Sequence, residues 1–447
     1  MLYEAESGDI SIAVVGDAML SRRLSPYREP AFTALAELLR SADVTIANLE
    51  FLLHDYEDSW QWTGGTYTRA DPRNVSELKW IGIDAVLTAN NHSFDFSEGG
   101  FLTTLRHLEA AGIPHAGGGA DLDHARAPAY VDSPRGRVAV MGATSTFTEV
   151  SRAGLGRPDF PGKPGINALR HRREYQVPPG TLRSLTRAAR GLGLEEAQHA
   201  ERLFMGEPEP KGRNRPLSFL GSNFRAAPDF GLKTSVNEDD RQGIARWIRG
   251  AREQADWLVY GLHCHEGGFR GEFHGSSRTS EPDFLLDFAR WTIDQGCSVF
   301  AGHGPHYLKG IEIYKGAPIF YSLGNFIFQN ETVPWVPSEG YRAFGLGDET
   351  TPGEFFAARS GSGTRAFPAD PVFWRSVIAI CDYKAHALQQ VRLYPIDLGF
   401  GKPVPQRGRP ILARGEVARQ VLEWLQNASA PYGTEIQIEG DMGVIRA

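Results

Sequence analysis

Ile83-Asp84-Ala85-Val86-Leu87-Thr88-Ala89-Asn90-Asn91-His92-Ser93-Phe94-Asp95 decides how this chain reads. The apolar run Ile83 to Ala89, with its β-branched members, fits a buried strand. It stops abruptly at two amides, a histidine and, three residues on, a carboxylate. Helical spacing resumes at Phe101, Leu102, Leu105 and Leu108, so the polar cluster falls on a turn between strand and helix. In open α/β sheets that turn is the carboxyl edge, where ligands bind. Asn and Asp also favour turns because their side chains satisfy local backbone groups. The cluster therefore takes its meaning from how the other strands end.

Other apolar runs carry the same punctuation. Upstream, Ile10 to Asp17 is a buried strand ending in Gly16-Asp17, with a helix expected from about Ala31 to Ser41. Val44 to Glu50 is a second strand, where period-2 alternation puts Asn48 and Glu50 on one face. Phe51 to Arg69 forms a long aromatic loop, and Asp71-Pro72 reads as the cap and first position of a helix to about Ile81. Downstream, Arg137 to Ala143 is a strand. Trp257 to Glu266 ends in His263, His265 and Glu266, and Ser298 to His306 ends in His303 and His306. Helices are expected over about Glu238–Gln254 and Pro282–Gln295. Short strands follow at Ile311–Tyr314 and Pro318–Ser322. Strands at Val372–Asp382 and Leu388–Ile396, a helix over about Glu416–Gln426 and a hairpin around Gly440-Asp441 close the chain. Strands alternating with helices make this an α/β protein.

Two stretches interrupt the pattern. Residues 145–234 are rich in Arg, Gly and Pro, with a helical patch near Arg183–Phe204; a structureless loop of that length is improbable. They read as an inserted subdomain or lid. Its basic residues (Arg170, Arg172, Arg173, Arg183, Arg187, Arg190, Lys211, Arg213, Arg215, Arg225) form either a solvated face or an approach for an anionic substrate. Residues 330–370 form a second insertion, rich in Gly, Pro and aromatics.

The bulk properties exclude several classes. The 447 residues are 41% hydrophobic, ample for a large core, and the net charge of −7 argues against a nucleic-acid or anionic-membrane partner. Three cysteines, Cys264, Cys297 and Cys381, make no disulfide framework. Glu4, Glu6 and Asp9 precede the first apolar run, the wrong charge for a secretory leader, and no apolar stretch has the length of a membrane span. The expectation is a cytoplasmic protein.

Asp17, Asn48, Glu50, Asn91, His92, Asp95, His263, His265, Glu266, His303 and His306 all lie at or just past strand ends. Carboxylate, amide oxygen and imidazole together suit a divalent Mn, Fe, Co or Zn, and the scarcity of thiolates argues against a closed structural zinc site. The donors outnumber what one tetrahedral ion needs, whereas two ions sharing a carboxylate would use them. Such a pair acidifies water into a nucleophile. His92 could then protonate a leaving group, with Asp95 orienting its ring.

The motifs Gly16-Asp17, Asn48-Leu49-Glu50, Asn90-Asn91-His92-Ser93-Phe94-Asp95, Gly302-His303-Gly304-Pro305-His306 and Tyr321-Ser322-Leu323-Gly324-Asn325-Phe326 resemble those of the CapA/PgsA family. That family is associated with poly-γ-glutamate capsule synthesis and belongs to the calcineurin-like metallophosphoesterase superfamily. The resemblance covers about residues 10–145 and 235–330. It implies a four-layer α-β-β-α sandwich with a dinuclear site at one edge of its two mixed sheets. The metallophosphatase-like domain would span residues 1–400 with both insertions, and residues 401–447 would pack on it. Asp17 would bind one metal, Glu50 would bridge, and Asn91 and His263 would bind the second; His303 would complete the second site and His306 the first. His92 would match the superfamily's general acid. This chain lacks the Asp-x-His pair of typical phosphoesterases on its first strand. It has His263-Cys264-His265 where the family usually has His-Trp-Gly, so His265 or Glu266 is a candidate for the missing ligand.

Two functions follow as expectations. One is a metal-dependent hydrolase, acting on a phosphoester or on an amide or ester (a γ-glutamyl bond included) of a small or short polymeric anionic substrate. The other is a non-catalytic accessory protein of capsule polymer synthesis. A nucleotide-binding reading fails for want of Gly-x-Gly-x-x-Gly between a first strand and helix. Of the remaining histidines, His115 and His274 sit in loops that admit a functional role. Trp60, Trp62, Tyr67, Trp335, Tyr341 and Phe344 could wall a substrate pocket.

Overall fold

The computed structural model describes residues 3–63, 65–208, 215–269 and 280–447. These divide into two compact units, one of residues 1–169, 240–265 and 289–447, the other of 170–239 and 266–288.

The first unit begins with β1 (Ile10–Met19), α1 (Pro30–Ser41), β2 (Val44–Leu49), α2 (Val75–Ile81), β3 (Ala85–Leu87), α3 (Ser97–Ala110) and β4 (His115–Ala116). It continues with β5 (Ala129–Ser133), β6 (Gly136–Thr144), β7 (Trp257–His263), β8 (Val299–His303), β9 (Ile311–Tyr314), β10 (Ala317–Phe320) and β11 (Asn325–Phe328). It ends with β12 (Arg375–Lys384), β13 (Ala387–Asp397), α4 (Gly415–Ser429), β14 (Gln437–Glu439) and β15 (Met442–Arg446).

These strands form two mixed sheets. A ten-stranded sheet runs β14-β15-β13-β12-β1-β2-β3-β4, with β11 beside β1 and Ile411–Leu412 beside β13. A six-stranded sheet runs β9-β10-β8-β7-β6-β5. Pairings of β1 with β2, β2 with β3, β7 with β8 and β6 with β7 are parallel, so these strand ends share an edge.

Alternation along β1 explains the packing. Ala13 and Val15 lie in one core with Phe32, Leu35, Leu78, Ile81, Phe101 and Leu105 of α1 to α3. Ile12 and Val14 lie in another, with Val138 and Val140 of β6, Val259 of β7 and Val299 of β8. A period of two thus serves two cores from one strand, each fully buried large side chain contributing roughly 1.5–3 kcal/mol. Val421, Leu422 and Leu425 of α4 join the second core, so the C-terminal helix is part of this unit.

β1 changes neighbours midway. Ile10 to Val14 pair with β12, whereas Asp17 to Met19 pair with β11. The switch falls at Gly16, where an added Cβ would lie 1.9 Å from the Gly324 carbonyl oxygen. Only glycine allows that approach, and the Asp17 N–H donates to the same oxygen at 2.8 Å.

Several expected boundaries shift. The strand of the opening stretch narrows to Ala85–Leu87. Residues 372–374, expected to begin a strand, lie instead in the 3-10 turn Pro371–Trp374, where the Asp370 carboxylate accepts from the Val372 N–H at 3.0 Å. Residues 330–370 contain helices at Ser338–Ala343 and Pro352–Arg359, the second opened by a Thr351/Glu354 capping box.

The second unit holds a four-stranded sheet in the order Leu217–Phe219, Ser222–Ala226, His171–Val177, Gly231–Val236, together with helices Pro179–Gly191 and Leu194–Met205. Its strands are mostly half-buried, which explains their faint sequence signal. Arg225 there pairs with Glu174 at 2.7 Å. Lys211, Arg213 and His274 lie outside the described residues.

Candidate metal centre

Each polar strand end delivers a side chain to one buried place. Asp17 comes from β1, Glu50 directly follows β2, Asn91 and His92 follow β3, His263 ends β7, and His306 lies three residues beyond β8. His306 takes φ +64°, a left-handed conformation that costs a non-glycine residue energy. Such strain at a polar cluster is typical of functional sites.

Glu50 is central. Its side chain is fully buried, and neither carboxylate oxygen has a hydrogen-bond partner. Around it stand His263 Nε2 at 3.6 Å, His306 Nδ1 at 3.8 Å and His92 Nε2 at 4.0 Å. Asp17 is equally buried, with Oδ1 3.7 Å from His263 Nδ1 and Oδ2 3.5 Å from His306 Nδ1. Two groups of potential ligands result, Asp17 with Glu50 and His263, and Glu50 with His265 and His306; within each, donor atoms lie within 4.8 Å of one another. Glu50 belongs to both groups.

The expected residues meet this place unequally. Asn91 Oδ1 and His265 Nε2 approach His263 Nε2 at 2.7 and 3.0 Å. Period-2 alternation therefore continues past the end of β7, bringing His263 and His265 together. His303 stands apart from both groups: Nε2 lies 3.3 Å from the Val15 carbonyl oxygen, while Nδ1 is buried without a hydrogen-bond partner. Glu266 falls in the second unit. His92 and Asp95 form a pair, with Nδ1 2.7 Å from Oδ2.

Supporting contacts fix these groups. Asn48 donates to Asp17 Oδ1 at 2.7 Å, and the Gly304 N–H donates to Oδ2 at 3.2 Å. Asn90 donates to the Leu49 carbonyl at 2.8 Å, tying the opening stretch to β2. Asn325, not singled out as a site residue from the sequence, starts β11 opposite Asp17 and sets Oδ1 3.0 Å from His306 Nδ1. Gly324-Asn325 carried the same Gly/amide punctuation, but at the beginning of a strand. Phe367, in the second insertion, packs edge-on against His306 with centroids 5.3 Å apart. Of the loop aromatics, Tyr67 is buried beside Phe96 and Trp60, and Tyr341 packs on Phe355. Trp335 meets Tyr56 edge-on at 6.3 Å. These contacts are loop packing.

Electrostatics separate the two carboxylates. Burial pushes Glu50 well above the usual range, reinforced by the negative charges of Asp17 and Asp95. Burial also opposes the charged form of Asp17, but hydrogen bonding to His263 and His306 outweighs it and holds Asp17 well below the usual range. Burial lowers His263 and pushes His303 down to about 4, which favours neutral imidazoles able to donate lone pairs. A buried carboxylate with two unpartnered oxygens among imidazoles is costly unless a cation accompanies it. The donor set therefore fits divalent metal.

The chain is also similar to known proteins. Residues 11–330 match the family described as bacterial capsule synthesis protein PGA_cap. The chain is 36% identical to the protein y4sH of Sinorhizobium fredii, over 98% of this chain and 93% of that one. It is 22% identical to the capsule biosynthesis protein CapA of Bacillus anthracis, over 72% of this chain and 61% of the relative. It is 25% identical to a probable polyglutamine synthesis accessory protein of Mycobacterium tuberculosis, over 69% and 61% respectively. Among the described residues, no helix is long and apolar enough to cross a membrane.

Proposed function

The chain belongs to the bacterial capsule synthesis protein family, and from that premise we propose that it is a metal-dependent hydrolase of an anionic substrate related to poly-γ-glutamate. The bond cleaved is a phosphoester or an amide or ester, γ-glutamyl included. We assign the scaffold to the four-layer α-β-β-α arrangement of the metallophosphoesterases.

The observation that carries this reading is Glu50, whose two oxygens are buried, unpartnered and ringed by histidine nitrogens. Asp17, Glu50 and His263 would hold one divalent ion; Glu50, His265 and His306 would hold the other. Asn91 stands beside His263 as a further oxygen donor. Bound divalent ions supply Lewis acidity, acidify water and offset the charge of carboxylates and substrate.

The protein's own groups handle the proton. Asp95 takes the hydrogen bond from His92 Nδ1 and thereby leaves Nε2 as the ring atom that exchanges protons at the site. When protonated, His92 donates from Nε2 to the departing oxygen or nitrogen. Thr63 and the Thr68 N–H donate to Asp95 at 2.8 and 3.0 Å and hold it in place for this task.

The accessory reading has its own support in the Mycobacterium tuberculosis relative, a probable polyglutamine synthesis accessory protein. One experiment separates the two: metal content per chain, measured beside turnover of bis(p-nitrophenyl) phosphate and γ-glutamyl p-nitroanilide with Mn²⁺. Turnover that Asn91→Ala abolishes supports the hydrolase. Stoichiometric metal with no turnover of either compound supports the accessory role.

A further inference from the structure

We propose that a pocket bounded by Arg22, Gln329, Lys402, Gln406, Arg407 and Arg409 binds a small dianion, a phosphate monoester or dicarboxylate, apart from the candidate metal centre. Its volume is ≈ 320 Å³, at the lower end of the range for small-ligand sites.

Four cations converge there against one lining carboxylate, Glu29. Two are already neutralised. Arg407 holds Glu331 through Nε and Nη2 at 2.7 and 2.6 Å, and Arg409 holds Glu29 at 3.0 and 2.6 Å. Both pairs are two-pronged, the strongest form of this contact. The Arg409 guanidinium also lies 3.8 Å above the Tyr27 ring centroid.

Arg22 and Lys402 are left over. Arg22 donates from Nη1 and Nη2 to the carbonyl oxygens of Pro405 and Arg407 at 2.5 and 2.9 Å, while its Nε has no hydrogen-bond partner. Neutral carbonyls satisfy donors but cancel no charge. Lys402 is exposed and makes no ion pair among the described residues. Burial and the neighbouring Arg409 charge both disfavour the Arg22 cation. A guanidinium does not discharge at neutral pH, so the excess persists. Two uncompensated positive charges call for a ligand with two negative ones. Gln329 Oε1 accepts the N–H groups of Ser21 and Arg22 at 3.0 and 2.8 Å, so the segment carrying Arg22 is held rigidly for that ligand.

Arg22 lies five positions beyond Asp17, and an extended chain advances at most about 3.6 Å per residue. The Arg22 backbone is thus within about 18 Å of that of Asp17, which places the pocket in the same region of the first unit. Its occupant is therefore either a free anion or a remote charged group of a longer substrate.

Calorimetric titration of the full chain with inorganic phosphate and with succinate, in chelator so that the metal centre is empty, tests the proposal. Binding should be detectable below about 10 mM and weaken at least about tenfold in Lys402→Gln and Arg22→Gln, with Asn91→Ala unchanged. Lys402→Gln alters only an exposed side chain and guards against misfolding of the Arg22 variant. No binding by either anion, or equal weakening in Asn91→Ala, overturns it. A raised KM with unchanged kcat in Lys402→Gln identifies the occupant as a remote substrate group; unchanged KM identifies a free anion.

Discussion

His92 Nδ1 lies 2.7 Å from Asp95 Oδ2, and Thr63 and Thr68 hold that carboxylate from the aromatic loop. The proposed general-acid pair is thus held by two segments, and the far nitrogen of His92 lies 4.0 Å from Glu50.

His92→Asn should lower turnover about 10²-fold or more, chiefly for substrates with poor leaving groups. Asp95→Asn should lower it less, about 10–100-fold. Metal stoichiometry should stay unchanged in both. A leaving-group series on each variant checks this; loss independent of leaving group removes His92 from the acid role.

Glu50→Gln should have opposite effects with and without metal. In chelator the variant should be more stable than wild type by about 1–3 kcal/mol, because the wild-type carboxyl group must hold a proton the unfolded chain has shed or else lie buried and charged without a partner. With Mn²⁺ wild type should gain the larger stabilisation. The pH dependence follows from the raised pKa of Glu50. Above the unfolded value the folded chain retains a proton the unfolded chain has lost, so metal-free stability falls as pH rises through the folded pKa. The gap between variant and wild type should therefore close toward acid. Urea titrations at several pH values measure it.

His54 predicts an acid-sensitive term. Burial, then the Arg69 charge, pushes it down to about 4. Between about 4 and 6.5 the unfolded chain binds a proton that the folded chain refuses, so stability is lost as pH falls through that window. His54→Asn should flatten this slope, read as a smaller shift of the urea midpoint between neutral and acid pH.

Two glycines should respond in opposite directions. Gly16→Ala forces a Cβ against the Gly324 carbonyl oxygen and should cost about 3 kcal/mol or more, with loss of metal binding through Asp17. Gly250→Ala, with open space at its Cβ, should stabilise by about 0.5–1 kcal/mol. Thermal melts of both test whether the β1 switch is as tight as described.

Legibility tracked the physics of each segment. Fully buried strands such as Trp257–His263 read as continuous apolar runs, so their polar ends stood out. The strand His171–Val177 has arginines on its exposed positions and partial burial elsewhere, which erased its alternation. The helix Pro352–Arg359 was missed despite a capping box written as Thr351-Pro352-Gly353-Glu354. There the local signal existed, but the surrounding glycines and prolines masked it.

By itself the sequence determined the α/β class and the pool of carboxylates, amides and imidazoles at strand ends, because burial and period are local properties of a chain. Only the folded arrangement decided that Glu50 sits in both ligand groups, that His265 and Asn325 join while His303 turns toward Val15, and that Arg22 meets Arg407 and Arg409. Those outcomes depend on which strand neighbours which, and on the close approach of Gly16 to Gly324. Such distances arise between residues hundreds of positions apart, where no short-range pattern reports them.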